Sequence, residues 1–147
     1  MKARKWLARS QSTADPFNGL TEVWRGFNNL FYPAQGRDER EKIKAFIISK
    51  LSADDALAVL DKHKKGITYL LSKPVVDMRG NGKDTSQNIQ TFHATTDPIE
   101  NVVELFLVIY QVRCNLEHGQ KSPDRARDAE LCSSASPIVA NVVGLYA

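Results

Sequence analysis

The sequence has few of the residues that cross-link a small protein or bind metal ions. It contains two cysteines, Cys114 and Cys132, and three histidines among 147 residues. Two cysteines do not make a disulfide framework, and no cysteine or histidine stands at zinc-ligand spacing. The acidic residues show no metal-ligand grouping either. We therefore expect no bound metal and no cofactor, and the cysteine usage favours a reducing cytoplasm.

Long apolar runs are also missing. The longest, at 102–110, is interrupted by Glu104 and is far shorter than the roughly 20 residues that cross a bilayer. The composition, 42% hydrophobic and 25% charged, is typical of soluble globular proteins. These features predict a single domain over residues 1–147 and no membrane partner.

Acidic residues are absent from the start of the chain. Four basic residues precede the first acid, Asp15: Lys2, Arg4, Lys5 and Arg9. An acid-poor start with arginine and serine is also typical of organellar transit peptides. We interpret residues 1–14 instead as a retained basic arm, for which a solvated first turn and an anion-binding role are equally open.

Apolar residues at helical spacing dominate the rest of the chain. Asp15-Pro16 and Asp97-Pro98 are good helix starts, because the acid caps the helix and proline fits its first turn. Asp38 and Ser52 mark two more starts. The predicted helices cover about 16–32, 38–50, 53–65, 67–71, 98–118 and 123–147, the last of them kinked or divided at Pro137.

Residues 77–90 break this pattern. They are rich in Gly, Asn, Asp, Ser and Lys, which predicts a long loop with short extended pieces at its ends. The glycine spacing within 80–85 does not match a phosphate-binding loop. Taken together, the pattern predicts an all-α fold, an up-and-down bundle of four or five main helices.

The residues with the most chemical content lie at the end of the most apolar predicted helix: Arg113, Cys114, Asn115, Leu116, Glu117, His118 and Gly119. Arginine is a permanent cation, and histidine titrates near neutral pH. Arg113 continues an apolar helix side and needs an anionic partner, for which Glu117 is an ordinary i,i+4 candidate. Arg113 and His118 are about 140° apart on an ideal helix. A joint site therefore requires the last turn to unwind, or a second copy of the helix end.

This stretch resembles the signature of HEPN domains, in which four to six residues separate an arginine from a histidine, commonly with a polar residue between them and often with a glycine after the histidine. Residues 24–32 resemble the first helix of several stand-alone bacterial members. Two positions depart from the family pattern. Cys114 stands where Asn or Asp is common, with the amide at Asn115, and Gln120 replaces the tyrosine that is modified in toxins paired with a nucleotidyltransferase antitoxin.

The resemblance implies a helical bundle that forms a homodimer through its motif helices. Active members are metal-independent endoribonucleases of toxin–antitoxin, abortive-infection and CRISPR-linked antiviral defence. By this resemblance His118 is the general base or acid, and Arg113 stabilises a phosphorane-like transition state. Asn115 is expected to orient His118 or a phosphate oxygen. The expected partners are RNA, a second copy of the chain, and an antitoxin or regulatory protein.

Three further cations are predicted to contact RNA: Arg79, Lys83 and Lys121. The main alternative to an enzyme is a non-catalytic HEPN-like module that binds nucleotide, RNA or a protein partner. A third reading is a structural dimer in which Arg113 pairs with Glu117. Of the other histidines, His63 is predicted to be solvated and His93 to be structural or exposed.

Overall fold

The computed structural model describes residues 2–117 and 126–147. These residues form eight helices, which confirms the predicted all-α fold. In chain order they are α1 Lys2–Gln11, α2 Pro16–Phe31, α3 Glu39–Lys50, α4 Ala53–Lys62, α5 Lys64–Leu70, α6 Ser86–Ala94, α7 Pro98–Glu117 and α8 Ala126–Tyr146. None of them combines the length and the apolar character needed to cross a lipid bilayer.

Side-chain caps begin four of the helices at the predicted residues. These residues are Asp15 before α2, Asp38 before α3, Ser52 before α4 and Asp97 before α7. Each accepts a hydrogen bond from a backbone N–H two or three residues further on, at 2.9 to 3.0 Å. An N–H that would otherwise lack a partner in the first turn is thereby satisfied.

The core is built around aromatic side chains of α2. Phe27 is fully buried, and its ring centroid lies 5.1 Å from that of Trp24 and 5.1 Å from that of Phe106 on α7. The ring of Phe46, on α3, lies 5.7 Å away at nearly a right angle. Such edge-to-face contacts add to the stabilisation from burial alone. They join α2, α3 and α7 in one core, which α8 completes with Ile138 and neighbouring apolar residues.

Two segments are helical where the sequence pattern predicted otherwise. The basic arm forms α1, which packs against α2 and α8 through buried Ala3 and partly buried Leu7. The predicted loop at 77–90 ends at Thr85, because α6 begins at Ser86. Neither helix has a strong apolar pattern in its sequence, since α1 has few apolar residues and α6 buries none of its side chains completely.

One predicted break is displaced and another is absent. The break predicted at Gly66 lies three residues earlier, at His63, between α4 and α5, and Gly66 itself is inside α5. Pro137 lies inside α8, which continues through it as one helix and is not divided there. A proline inside a helix contributes no backbone N–H to the hydrogen-bond ladder, and packing of both halves of α8 on the core offsets that loss.

Gly26 allows α1 to pack closely against α2. A Cβ atom at this position would lie 3.0 Å from the Ala3 carbonyl oxygen and 3.3 Å from the Trp6 Cβ. Both neighbours belong to α1, and one of them is backbone, so neither moves without displacing the helix. The position of α1 on α2 therefore depends on the absence of a side chain here.

Gly26→Val should lower the free energy of unfolding by about 2 kcal/mol, because the branched side chain overpacks the α1–α2 contact. Gly144→Val is the matched control, since Gly144 is exposed on α8 and a Cβ there meets no heavy atom within 4 Å. We expect the control to change stability by less than about 0.5 kcal/mol. Urea unfolding measures both variants, and equal losses would contradict the packing argument.

Candidate active site at the end of α7

Arg113 lies in the last turn of α7 and forms an ion pair with Glu117. Its Nη1 is 2.5 Å from Glu117 Oε2. The Arg113 side chain is 22% exposed and the Glu117 side chain 54%. The i,i+4 pair that the spacing allowed is therefore formed. The arginine is largely covered, as expected for a residue that continues the apolar side of the helix, and its carboxylate partner is open to solvent.

Asn115 is buried, and its side chain binds the loop that precedes α6. Its Oδ1 accepts hydrogen bonds from the Met78 N–H at 3.2 Å and from Gln111 Nε2 at 3.0 Å. Its Nδ2 donates to the Val76 carbonyl oxygen at 2.8 Å. Sequence reasoning assigned this amide to His118 or to a phosphate. In the structure the bonds to Val76 and Met78 attach the loop to α7, and the bond from Gln111 lies within α7 itself.

The Asn115 hydrogen bonds continue to α3 through Gln111. Gln111 is buried, and its Oε1 accepts a hydrogen bond from Arg40 Nη2 at 3.2 Å. The Arg40 guanidinium also lies over the Tyr110 ring, 4.9 Å from its centroid. Sequence reasoning missed Gln111 and Arg40. The available signal was the pair of amides, four residues apart, on an otherwise apolar part of α7.

The loop itself folds back as a short antiparallel turn. Val76 and Asp84 form an isolated bridge, and the Asp77 N–H donates to the Lys83 carbonyl oxygen at 2.9 Å. Gly80 and Gly82 both have a φ of +78°, a conformation that favours glycine. The predicted extended piece at the start of the loop is therefore present, and the turn carries Arg79 and Lys83.

Asp77 is buried within this turn and holds Arg79. Its carboxylate accepts from Arg79 Nε at 3.1 Å and from Arg79 Nη2 at 2.8 Å, and from Asn81 Nδ2 at 3.0 Å. The Arg79 guanidinium holds the pKa of Asp77 well below its usual range, although burial acts in the opposite direction. The Arg79 side chain is exposed, and the Asp77 carboxylate already neutralises its charge. Lys83 is exposed, and Lys121 lies outside the described residues.

Cys114 is held as a thiol. Burial raises its pKa, and the hydrogen bond with Tyr110 and the charges of Arg113 and Arg40 only partly oppose that effect. A cysteine nucleophile requires the opposite shift, toward the thiolate. Cys114 is therefore an inert, partly buried side chain.

The histidines differ in what the structure describes. His118, the predicted general acid or base, lies outside the described residues, as does Gly119. His63 is half-buried and not solvated as predicted, because its Nε2 lies 2.9 Å from Asn141 Nδ2 on α8. Burial, followed by the charge of Lys62, lowers the pKa of His63. His93 is exposed near the end of α6.

Neither a protein-family model, nor a curated protein, nor a solved structure was found to match this chain. The assignment to the HEPN family therefore rests on residues 113–119 and on the helical fold, and it stays a hypothesis. Within 2–117 and 126–147, no group of three or more His, Cys, Asp or Glu residues is placed to hold a metal ion.

Asn115→Ala should lower the free energy of unfolding by about 1–3 kcal/mol, because Val76, Met78 and Gln111 each lose a hydrogen-bond partner. It should also speed hydrogen exchange at the Met78 N–H. Asn18→Ala, at an exposed position on α2, is the control and should change stability by less than about 0.5 kcal/mol. Unchanged stability and exchange in Asn115→Ala would reject the loop-holding role.

Proposed function

We propose that the protein is a metal-independent endoribonuclease of the HEPN type, with Arg113 and His118 in its active site. The position of Arg113 carries this proposal. It lies in the last described turn of the long helix α7, and residue 118 follows that turn directly in the sequence. The all-α fold agrees with the architecture that the HEPN resemblance implies.

The proposed reaction needs only proton transfer and charge stabilisation. The ribose 2′-hydroxyl attacks the adjacent phosphorus, and the bond from phosphorus to the 5′-oxygen of the next nucleotide breaks. The products are a 2′,3′-cyclic phosphate and a 5′-hydroxyl. His118 accepts the proton of the 2′-hydroxyl or donates a proton to the leaving 5′-oxygen. Arg113 stabilises the negative charge that develops on the phosphoryl oxygens.

Arg113 must exchange Glu117 for a phosphate oxygen when RNA binds. Glu117 is exposed, so water can solvate its carboxylate once a phosphate oxygen has replaced it. A phosphodiester offers the same paired acceptors as a carboxylate to the guanidinium fork. In free protein the pair therefore keeps Arg113 oriented at the helix end.

A second copy of the chain would complete the site. On an ideal helix Arg113 and a residue five positions further on are about 140° apart, so a helix that continued straight through residue 118 would not present both on one face. A two-fold dimer through α7 brings two arginines and two histidines to one cleft, with one histidine available for each proton transfer. Sedimentation that shows only monomer at micromolar concentrations, with and without RNA, would exclude such a composite site.

A non-catalytic module that binds RNA, nucleotide or protein is the second candidate. Two observations favour it: Arg113 is paired with Glu117, and the Asn115 amide is fully engaged with the loop. An antitoxin or regulatory protein is a further proposed partner of either form. Cleavage separates the two candidates, because a module has no cleavage to lose.

His118→Ala should lower the rate of RNA cleavage by about 100-fold or more, the usual contribution of general acid–base catalysis. RNA affinity should change much less, because the cations remain. His93→Ala is the matched control, since His93 is exposed on α6. Full activity in His118→Ala would end the catalytic assignment. The measurement is cleavage and affinity on the same folded variants.

Arg113→Ala and Glu117→Gln should have opposite effects if Glu117 competes with phosphate for Arg113. We expect Arg113→Ala to lower kcat/KM by about 100-fold, on the scale of other lost charge-stabilising donors. Glu117→Gln should keep kcat/KM or raise it several-fold. If the pair is purely structural, neither substitution changes cleavage beyond what their stabilities explain.

A further inference from the structure

The first helix carries a second basic surface, away from the candidate active site. Lys2, Lys5 and Arg9 of α1, with Trp6 and with Asn29 of α2, line a hollow of about 510 Å³. None of the described residues that line it is acidic. Three cations around one concave surface favour a ligand with several negative charges.

Two arginines at this surface are fixed in place by one tryptophan. The Arg9 guanidinium lies 5.2 Å from the centroid of the Trp6 ring, and that of Arg25, on α2, lies 5.0 Å from it. Glu22 contacts both, with Arg9 Nη2 at 3.1 Å from Oε1 and Arg25 Nη1 at 4.0 Å from Oε2. The arginine side chains remain 65% and 53% exposed.

This arrangement orders the guanidinium groups without using up their donors. Each arginine has five N–H donors, and the contact with Glu22 engages only one edge of the fork. Stacking on Trp6 restricts the long side chains before a ligand arrives, which reduces the entropy lost on binding. Within 2–117 and 126–147, Glu22 is the acid that ion-pairs with both Arg9 and Arg25, and the neighbouring Lys2 and Lys5 add two more cations.

Two arginines near the end of α7 differ in this respect. Arg79 is bound by Asp77, and Arg113 by Glu117, so each has a carboxylate of its own. By contrast, α1 contains four basic residues and no acidic one, whereas the formal net charge of the whole chain is +3.

We propose that the α1 surface, formed by Lys2, Lys5, Arg9, Arg25 and Asn29, binds the phosphate backbone of single-stranded RNA. The choice of RNA as the polyanion rests on the proposed function, whereas the surface itself does not. Arginine forks suit phosphate oxygens, and the flexible lysines neutralise neighbouring phosphates. The surface adds affinity without base recognition, and it holds the strand while the end of α7 acts on it.

An anionic membrane is the less favourable partner. A helix that lies on a bilayer inserts an apolar face among the lipid chains. The apolar side of α1, Ala3 and Leu7, already packs against the protein core. The surface therefore offers charge without an insertable face.

The test uses the full chain and a single-stranded RNA of about 20 nucleotides carrying 2′-O-methyl groups, which cannot be cleaved by 2′-hydroxyl attack. The variant Lys2→Gln/Lys5→Gln is compared with Lys44→Gln/Lys50→Gln, which removes two exposed lysines from α3. Affinity is measured by fluorescence anisotropy over a range of salt concentrations, and circular dichroism checks that both variants fold.

Affinity falls as salt rises, and loss of two phosphate contacts should make this dependence shallower: the slope of log affinity against log salt should become less negative by about 1.4. Binding should weaken on the order of 10-fold at 0.1 M salt. The α3 variant should keep the wild-type slope. Equal effects in both variants would assign the result to net charge and overturn the proposal. The proposal would also be overturned if the wild-type protein did not bind the RNA, or if it bound phosphatidylserine vesicles instead of RNA. If these affinities behave as expected while unmodified RNA stays uncleaved, the proposed catalytic function fails and the α1 surface stands.

Discussion

The hydrogen bonds of the Asn115 side chain determine where the loop at 76–85 lies against α7, and the placement of Arg79 follows from the loop. A buried amide that makes three bonds restricts its partners strongly, because each unpaired group would cost about 1–3 kcal/mol. Through Gln111 the same network reaches Arg40 on α3. The end of α7 is therefore a rigid platform of three elements.

That rigidity bears on what the platform can do. Charge stabilisation in a transition state is effective when the donors are already oriented. In the free protein Glu117 holds Arg113 at the helix end, and phosphate must displace Glu117 before Arg113 can stabilise charge. Burial keeps Cys114, beside it, as a neutral thiol. The network thus positions the helix end and does not itself supply reacting groups. The proposed chemistry depends on two residues, Arg113 and His118.

The amino-acid sequence predicts the helices that carry strong local signals. Asp15, Asp38, Ser52 and Asp97 all cap helices as expected, because a cap and an apolar periodicity act on the same few residues. The helix α6 was not predicted, since its sequence is polar and its stability comes from packing against α7. The sequence of α1 predicts a basic arm for the same reason. The close contact that places this helix is made at Gly26 on α2, and the residues of α1 alone do not reveal it.

In the candidate site, too, contacts within one helix can be expected from the sequence, and contacts between distant segments cannot. The Arg113–Glu117 pair follows from spacing on one helix, so the sequence alone identifies Glu117 as a candidate partner. The role of Asn115 depends on Val76 and Met78, which are more than 30 residues away in the sequence, so local pattern does not reveal it. The Trp6 contacts with Arg9 and Arg25 likewise require knowing that α1 packs on α2.

The chemical nature of the RNA ends left by the protein tests the central claim most directly. RNA incubated with purified protein in EDTA is analysed by mass spectrometry, and the fragments are treated with a kinase to detect free 5′-hydroxyls. Attack by the 2′-hydroxyl predicts fragments with a 2′,3′-cyclic phosphate, or the 3′-phosphate formed from it, opposite a 5′-hydroxyl. Fragments with 5′-phosphates, or cleavage that EDTA abolishes and magnesium restores, would contradict the account.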